Sequence, residues 1–346
     1  MWLDFRRKCI YLPEELHFNY NMRNKRFLTV NLIAALFGSV SAFAQDDVIR
    51  QINEYGTFDR WCVREVKESS VIGGKTKYLY EFCGNPCDTL RTGKAPFVAP
   101  DGYLWRTNNV LANVIGVVKT NNTIFPEKRG DGYCARIETH IERIQALGIN
   151  MDVVCQGIFM VGKMYEPIRD TKNPQEKVQY GFPYTGRPKG VKFDYKADVG
   201  HEIIRGTGLS KLKHMGGTDC AEVVIILQKR WEDEDGKIHA LRVGTGIERY
   251  TQSVSEWQNG HFVKINYGDI RGEEYYRDYM GLITKPDKIY YATNSRGKRV
   301  KVIEEGWACA DEEPNWMVMN FLSSAGDAFY GGVGNVLWID NVRVVE

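Results

Sequence analysis

The sequence predicts an all-β sandwich, and three observations support this fold class. The chain of 346 residues contains 34 glycines together with 19 Tyr, 15 Phe and 8 Trp, which suits a turn-rich β protein better than a helical bundle. Val223–Leu227 is a continuous apolar run rich in β-branched residues, typical of a strand buried on both faces. No linker, repeat or low-complexity tract divides residues 45–346, so we expect a single domain there.

Other strands are predicted by short apolar runs bounded by turn residues. The strand at Val223 leads into an acidic segment ending in Asp235-Gly236, and apolar residues resume at Ile238, which predicts a hairpin. The best helical candidate, Ile137–Leu147, has a poor helical period and ends before Gly148. The remaining predicted strands are Lys77–Phe82, Val110–Val118, Val153–Val161, Gly190–Tyr195, Phe262–Ile265 and Met317–Leu322.

Residues 1–44 have the features of a secretory signal ahead of the domain at 45–346. The basic segment Met22–Arg26 precedes an almost wholly apolar stretch, Phe27–Phe37, and then small residues that end at Ala44. The apolar stretch is shorter than the ~20 residues that a membrane-spanning helix needs. We therefore expect a true start at Met22, cleavage after Ala44, no membrane span in the mature chain, and a periplasmic, cell-surface or secreted protein. A short N-terminal membrane anchor is the alternative.

The overall composition is that of a globular protein and excludes several classes. Hydrophobic residues make up 43% of the chain and the mean hydropathy is −0.39. These values are typical of neither a disordered nor a membrane-embedded protein. Lys and Arg total 46 against 44 Asp and Glu. A nucleic-acid-binding protein usually has a marked basic excess, so we expect no nucleic-acid partner.

Seven cysteines follow Ala44, and an odd number in an exported protein leaves at least one thiol unpaired. Cys83 and Cys87 are the only two with a local spacing that a turn could close into a disulfide. No second Cys or His pair stands at a matching distance, which disfavours zinc. A Cys83–Cys87 disulfide or two free thiols remain open.

Catalytic motifs are largely missing from the sequence. No Gly-x-Ser-x-Gly nucleophile elbow occurs. Ile72–Thr76 is similar to the end of a phosphate-binding loop, but the first glycine of that loop is missing. A glycoside hydrolase needs two carboxyl groups that face each other across a cleft. For that alternative, the candidate carboxylates are Glu222, Glu248, Asp311 and Glu313.

Aromatic residues beside polar ones suggest a glycan-binding surface. Sugars bind to exposed aromatic rings that have hydrogen-bonding groups around them. Trp257, Trp307, Trp316 and Tyr276 all lie between residues 257 and 316 in polar surroundings. We predict these four as ligand-binding residues, although a core or rim position is the alternative for each.

The last predicted strand contains a carboxylate among apolar residues. Strict alternation from Val336 to Val344 places Trp338, Asp340 and Val342 on the same, otherwise apolar face. A buried carboxylate needs a cation or several hydrogen-bond donors. Asp340 is therefore predicted either to bind a structural calcium ion or to accept hydrogen bonds from backbone amides at a bulge or strand end.

Two stretches at the ends of the domain resemble carbohydrate-binding jelly-roll modules. Thr57–Trp61 is similar to their first strand and Trp338–Val342 to their last. The resemblance implies that the two ends lie close together and that Asp340 helps to hold a structural calcium ion.

Other stretches resemble the "putative carbohydrate metabolism domain" family of glycan-foraging Gram-negative bacteria. They are Ala135–Thr139, Gly157–Gly162 and, most specifically, Gly181–Pro188. This resemblance implies a jelly-roll β-sandwich with extended loops, and it turns the helix predicted at Ile137 into a strand. It implies no catalytic residues, since the family has no settled ones.

The sequence therefore predicts an exported glycan-binding or glycan-handling accessory protein, with an oligo- or polysaccharide as ligand and envelope proteins as further partners. The alternative is a glycoside hydrolase acting on a plant or host polysaccharide, and a more remote one is a structural surface protein without a ligand. Apart from calcium, no cofactor is expected.

Overall fold

The fold is built almost entirely from strands. In the computed structural model, the described residues are 47–83, 90–100, 103–114, 116–146, 149–169, 174–208, 210–285 and 288–346. Helix α1 (residues 47–55) precedes the strands, and short 3-10 helices lie at Ser70–Ile72, Pro174–Lys177 and Asp278–Met280.

The strands of the first half are β1 (Trp61–Lys67), β2 (Thr76–Phe82), β3 (Leu90–Gly93), β4 (Trp105–Thr107), β5 (Val110–Val114), β6 (Val117–Asn121), β7 (Ile124–Arg129), β8 (Gly132–Glu138), β9 (His140–Ala146), β10 (Ile149–Cys155), β11 (Ile158–Met164), β12 (Val178–Tyr180) and β13 (Phe182–Pro183). Those of the second half are β14 (Gly190–Asp198), β15 (Glu202–Arg205), β16 (Thr207–Gly208), β17 (Lys213–Thr218), β18 (Ala221–Glu232), β19 (Ile238–Tyr250), β20 (Val254–Lys264), β21 (Asn266–Tyr267), β22 (Tyr291–Thr293), β23 (Arg299–Trp307), β24 (Trp316–Leu322), β25 (Tyr330–Gly332) and β26 (Val336–Val345).

Two of the sheets determine the architecture. One has five strands in the order β20-β14-β26-β8-β7. The larger one contains the order β24-β18-β19-β23-β22-β12-β11, and β11 also pairs with β24. These seven strands therefore form a closed ring, which we call the barrel. Smaller sheets include the β5–β6 hairpin, the β2-β1-β3 sheet and the β16-β10-β9 sheet.

The five-stranded sheet packs against one side of the barrel. Phe193 on β14 contacts Phe321 on β24 edge to face, with ring centroids 5.2 Å apart. Trp105 and Phe159 continue this aromatic layer, and both are buried. Fully burying one such side chain contributes roughly 1.5–3 kcal/mol, so this layer stabilises the sandwich. The prediction of an all-β sandwich is confirmed, while the jelly-roll connectivity stays a prediction.

A second hydrophobic core fills the inside of the barrel. Val224 and Ile226 on β18 belong to this core, whereas Val223, next to Val224 in the strand, pairs with Phe321 on the sandwich side. Side chains alternate between the inside and the outside of a closed sheet. β18 is therefore buried on both faces, as its continuous apolar run predicted.

Most of the predicted strands are present. The hairpin at Asp235-Gly236 joins β18 to β19, in agreement with the sequence. Val110–Val118 is wrong as one strand, because Gly116 has a left-handed backbone (φ 78°) and makes a turn between β5 and β6. Val153–Val161 is likewise broken between β10 and β11 at Gln156-Gly157.

The helix predicted at Ile137–Leu147 is wrong, because β8 and β9 occupy this part of the chain. β8 pairs with β26 and β7, and β9 pairs with β10, so tertiary pairing outweighs the weak helical pattern. The strand that the family resemblance implied at Ile137 is therefore correct. Elsewhere in the chain, helix α1 is an element that the sequence pattern did not predict.

The last strand, β26, contains a bulge that changes the predicted face. Asn341 has a left-handed backbone (φ 52°), and the pairing of β26 with β14 shifts register there. Leu337 and Ile339 are buried before the bulge, and Val342 follows on the buried side after it. Trp338 and Asp340 are therefore not on the face of Val342, which corrects the strict alternation.

The two ends of the domain lie side by side, as the jelly-roll resemblance implied. The amide of Val342 donates to the carbonyl of Gly56 (2.9 Å), and Asn53 exchanges hydrogen bonds with the backbone of Val344. The residues from Ile49 to Glu346 form one compact unit.

A disulfide joins Cys62 on β1 to Cys83 at the end of β2. The predicted Cys83–Cys87 disulfide is therefore wrong, because adjacent antiparallel strands bring Cys62 within bonding reach of Cys83. Cys87 itself lies outside the described residues, and so does the predicted signal segment at 1–44. Across the described part of the chain, no helix has both the length and the hydropathy to cross a membrane.

Candidate functional site

A cavity of about 150 Å³ lies at one end of the barrel interior, and we call it the barrel-mouth cavity. Its wall combines aromatic, aliphatic and polar side chains contributed by several strands and by the segment that follows β21. Its principal lining residues are Ile158, Tyr180, Glu222, Val224, Ile247, Tyr279, Ile283, Lys288, Tyr290, Asn320 and Leu322.

Strand register explains how polar groups enter an apolar barrel. Glu222 pairs with Leu322, and Val224 pairs with Asn320, across β18 and β24. Paired residues of neighbouring strands lie on the same face of the sheet. Glu222 and Asn320 therefore both face the inside of the barrel, diagonal to each other and beside two aliphatic side chains.

Glu222 is a buried carboxylate held by a cross-strand cation. The Nε of Arg249 on β19 donates to its Oε1 at 2.7 Å, and the Arg249 guanidinium lies 4.6 Å from the centre of the Tyr279 ring. A charged hydrogen bond of this type is shorter and stronger than a neutral one and fixes the orientation of the carboxylate. The cavity thus contains a fixed acceptor for hydroxyl or amine donors.

Asn320 provides a second acceptor in the cavity. Its side chain is buried, and its Oδ1 has no hydrogen-bond partner among the described residues. Leaving such a group without a partner costs roughly 1–3 kcal/mol. A bound water or a ligand hydroxyl at this position would relieve that cost.

Two tyrosines form the deep wall. The rings of Tyr180 and Tyr290 are tilted against each other with centroids 5.1 Å apart. Burial raises the pKa of both phenols above the ordinary value. Both therefore stay protonated at neutral pH and present a ring together with a hydroxyl that can donate or accept.

Two of the predicted ligand residues, Trp307 and Trp316, lie at the opposite end of the barrel. Trp316 pairs with Gln228, Gln228 with Arg242, and Arg242 with Trp307, so these residues form one row across four strands. Arg230 lies 4.4 Å from the Trp316 ring centre and Arg242 lies 5.5 Å from that of Trp307. Each ring is thus in contact with a guanidinium.

Trp257 and Asp340 meet on the outer face of the five-stranded sheet. Arg129 lies 3.8 Å from the Trp257 ring centre, and its Nη1 lies 2.6 Å from Asp340 Oδ2 and 2.9 Å from Asp194 Oδ2. Asp340 Oδ1 accepts from the amide of Asn341 at the bulge (2.7 Å). The predicted backbone hydrogen bond at a bulge is therefore present, and an arginine supplies the cation.

The pKa values of the two aspartates follow from these contacts. Burial raises the pKa of Asp340, against the effect of Arg129. Burial also acts on Asp194, but hydrogen bonds from Asn341, the Gly260 amide and Arg129 bring the pKa of Asp194 below its usual value.

In the described ranges, no cluster of three His, Cys, Asp or Glu side chains could hold a metal ion. Calcium at Asp340 stays a prediction, as does ligand binding by Trp257, Trp307, Trp316 and the half-buried Tyr276.

The four candidate carboxylates for hydrolysis lie in different places. Glu222 lines the barrel-mouth cavity, whereas Glu248 points to the other side of the sheet and bonds His261 at 2.6 Å. Asp311 and Glu313 are exposed in the loop before Trp316, at the far end of the barrel. None of these four therefore faces another across the cavity.

Sequence reasoning missed the other groups of the cavity. Asn320 lies inside the predicted strand Met317–Leu322, where alternation marks it as the polar member of its face. Tyr180 and Tyr290 carry no such local signal, because only the closure of the barrel brings β12 and β22 together.

Comparisons with known proteins find weak similarity to solved structures. No family model matches the chain, and no curated protein matches it either. The chain is similar to the crystal structure of a putative glycoside hydrolase from Bacteroides thetaiotaomicron, at 16% identity over 82% of this chain and 70% of that one, with a TM-score of 0.41. It is also similar to a putative glycoside hydrolase from Bacteroides vulgatus, at 14% identity over 79% of this chain and 87% of that one, with a TM-score of 0.38. Similarity at this level does not determine activity, which depends on the residues of the site itself.

Proposed function

We propose that this protein binds a glycan without cleaving it, and that the barrel-mouth cavity holds a sugar residue. The observation that carries the proposal is the unpartnered Oδ1 of Asn320 beside the carboxylate of Glu222, in a cavity walled by Tyr180, Tyr279 and Tyr290. Sugar hydroxyls donate to such acceptors, and the C–H faces of a sugar ring pack on aromatic rings.

Binding is favoured over hydrolysis because, among the residues that the structure describes, Glu222 is the one carboxylate that lines the cavity. Glycoside hydrolysis generally uses two carboxyl groups, separated by about 5–5.5 Å in retaining enzymes and about 6.5–9.5 Å in inverting ones. Glu222 has no such partner among Glu248, Asp311 and Glu313, and Arg249 already occupies one of its oxygens. A sugar in the cavity would therefore meet a hydrogen-bond acceptor rather than an acid–base pair.

The cellular setting belongs to the same proposal. The basic, apolar and small-residue segments within residues 1–44 support export to the periplasm, the cell surface or the medium. An exported protein would meet oligo- or polysaccharides there, together with envelope proteins. The intact mass of the secreted protein tests this part, and a mass that retains residues 22–44 would contradict it.

A glycan array followed by an assay for released reducing ends tests the proposal. Two cavity variants, Asn320→Leu and Tyr279→Ala, should weaken binding about fivefold to thirtyfold, since each removes a hydrogen bond or an aromatic contact worth about 1–2 kcal/mol. Tyr275→Ala is the matched control, because Tyr275 lies on the same segment but is 41% exposed and does not line the cavity.

The outcomes separate the candidate functions. Binding without release that depends on Asn320 and Tyr279 supports the proposal. Release of reducing ends that is abolished by Glu222→Gln would replace it with a hydrolase. Binding that responds equally to all three substitutions, or no binding at all, would remove the cavity from the function.

A further inference from the structure

A second cavity adjoins the barrel-mouth cavity and has a volume of about 220 Å³. Gln156, Ile158 and Tyr180 are among the residues that line both cavities, so the two cavities border each other at these side chains. We call the second one the adjoining cavity. It lies between the barrel strands β11 and β12, the β5–β6 hairpin and the β9–β10 hairpin.

The wall of the adjoining cavity is mainly aliphatic. Val110, Ala112 and Val114 line it from β5, and Met151 and Val153 line it from β10. Ala112, Val114 and Met151 are only half-buried, so the wall of this cavity presents apolar surface to water. A cavity of about 150 Å³ with a similar lining takes up benzene, so this one has room for a ring or a short chain.

The charged groups of the adjoining cavity neutralise each other. Among the described residues that line it, the two charged ones are Lys119 and Glu142, and Lys119 Nζ lies 2.8 Å from Glu142 Oε1 and 3.2 Å from Glu68 Oε1. Neither of these two described charges is thus left without a counter-charge to attract an ionic ligand. An occupant of this cavity should be neutral and apolar.

We propose that the two cavities together bind an amphiphile, namely a sugar that carries a neutral aliphatic chain. This inference rests on the proposed function for the sugar part. The hydroxyl-bearing ring would occupy the barrel-mouth cavity with Glu222 and Asn320, and the chain would pass beside Gln156 and Tyr180 into the adjoining cavity. Each buried methylene should tighten binding about threefold to fourfold.

Calorimetry with paired glycosides tests the inference on the full mature chain. The probes are methyl and octyl β-D-glucopyranoside and β-D-galactopyranoside below their micelle-forming concentrations, with 1-octanol as the chain without a sugar. At least one octyl glycoside should bind at least tenfold more tightly than its methyl counterpart and than octanol.

Filling the adjoining cavity locates the chain. Ala112→Phe and Val114→Phe each place a ring in this cavity, and should remove the octyl advantage without weakening the methyl glycoside. Asn113→Phe is the matched control, because Asn113 lies between them on β5 and faces the other side. Two filling variants are used so that a folding defect in one does not decide the result.

Each outcome has a defined meaning. An octyl advantage that both filling variants remove and the control retains supports the inference. Equal affinity for methyl and octyl glycosides, an octyl advantage that survives both filling variants, or no binding of any glycoside overturns it, and the glycan array still decides the proposed function. Octanol binding as tightly as the octyl glycosides, with no effect of Asn320→Leu, would overturn the sugar site as well.

Discussion

The two ends of the barrel are built from the same strands but differ in whether their buried polar groups have hydrogen-bond partners within the protein. At the far end, Arg242 and Glu304 form a buried pair, with Arg242 Nη2 2.5 Å from Glu304 Oε2 and Nε 2.8 Å from Oε1. Gln228 Nε2 and the amide of Ile283 also donate to Glu304. At the mouth, Asn320 has no such partners and a cavity lies beside it.

The difference separates a structural from a functional use of buried polarity. Buried ionic groups are tolerated when their hydrogen bonds are satisfied, and the Arg242–Glu304 pair fulfils this condition largely within the protein. The hydrogen bonds of Arg230 at the same end are less completely satisfied. Its Nε donates to Gln228 and its guanidinium lies over Trp316, but its two Nη atoms have no hydrogen-bond partner among the described residues. Burial lowers the pKa of Arg230 to about 9. Of the two ends, as far as the described residues show, the mouth is the one that combines an unpartnered acceptor with space for a ligand.

The largest effect is expected from breaking the pair at the far end. Glu304→Leu should lower the free energy of unfolding by about 3–5 kcal/mol, because it leaves the Arg242 guanidinium buried without a counter-charge. Denaturant unfolding measures this change. Glu305→Leu on the same strand is the control, since Glu305 is exposed and its contact with His239 is a surface pair worth at most about 1 kcal/mol.

The double variant Arg242→Met/Glu304→Leu distinguishes pairing from packing. It should recover most of the stability lost in Glu304→Leu, because no charge then stays buried alone. If the double variant is as unstable as the single one, packing around Glu304 rather than its charge determines the effect.

Acid should act on the far end through the same carboxylate. Burial acts to raise the pKa of Glu304, but Arg242 and three hydrogen bonds bring it below the usual value of 4.5. A lowered pKa in the folded state means that the contribution to stability is complete above pH ~4.5 and is lost as pH falls below it. The loss of stability between about pH 5 and 3 should therefore be smaller in the double variant than in the wild type. Parallel pH profiles for the two proteins would show that Glu304 contributes nothing to acid unfolding.

The sequence predicted features that depend on neighbouring residues. The Asp235-Gly236 hairpin and the doubly buried strand at Val223 were correct, because turn chemistry and burial are encoded in a few adjacent positions. The face of Asp340 was wrong, because a single left-handed residue, Asn341, shifts the alternation and leaves no periodic signal.

The site was harder to predict than the fold because it depends on barrel closure. β11 pairs with β24 and β12 pairs with β22, and each pair joins segments far apart in the chain. The polar neighbours of Trp316 suggested exposure, yet neighbours in a strand lie on the opposite face and say little about the residue itself. Glu222 was selected for another reason, as a hydrolase candidate, and is the one selected carboxylate that lines the cavity.

The smallest expected effect is at the mouth and has the opposite sign. Asn320→Leu replaces a buried amide whose Oδ1 has no partner among the described residues with an apolar group of similar size, so the unliganded protein should become more stable, by up to about 1 kcal/mol. Thermal melting measures the stability of the unliganded protein and, after addition of a glycan identified on the array, the stabilisation that the glycan provides. The wild type should gain stability on adding the glycan by mass action, and the variant should gain less. A variant that is less stable than the wild type when unliganded would mean that Asn320 Oδ1 already has a hydrogen-bond partner. The buried polar groups at both ends of the barrel would then be satisfied within the protein, and Asn320 would have no acceptor to offer a ligand.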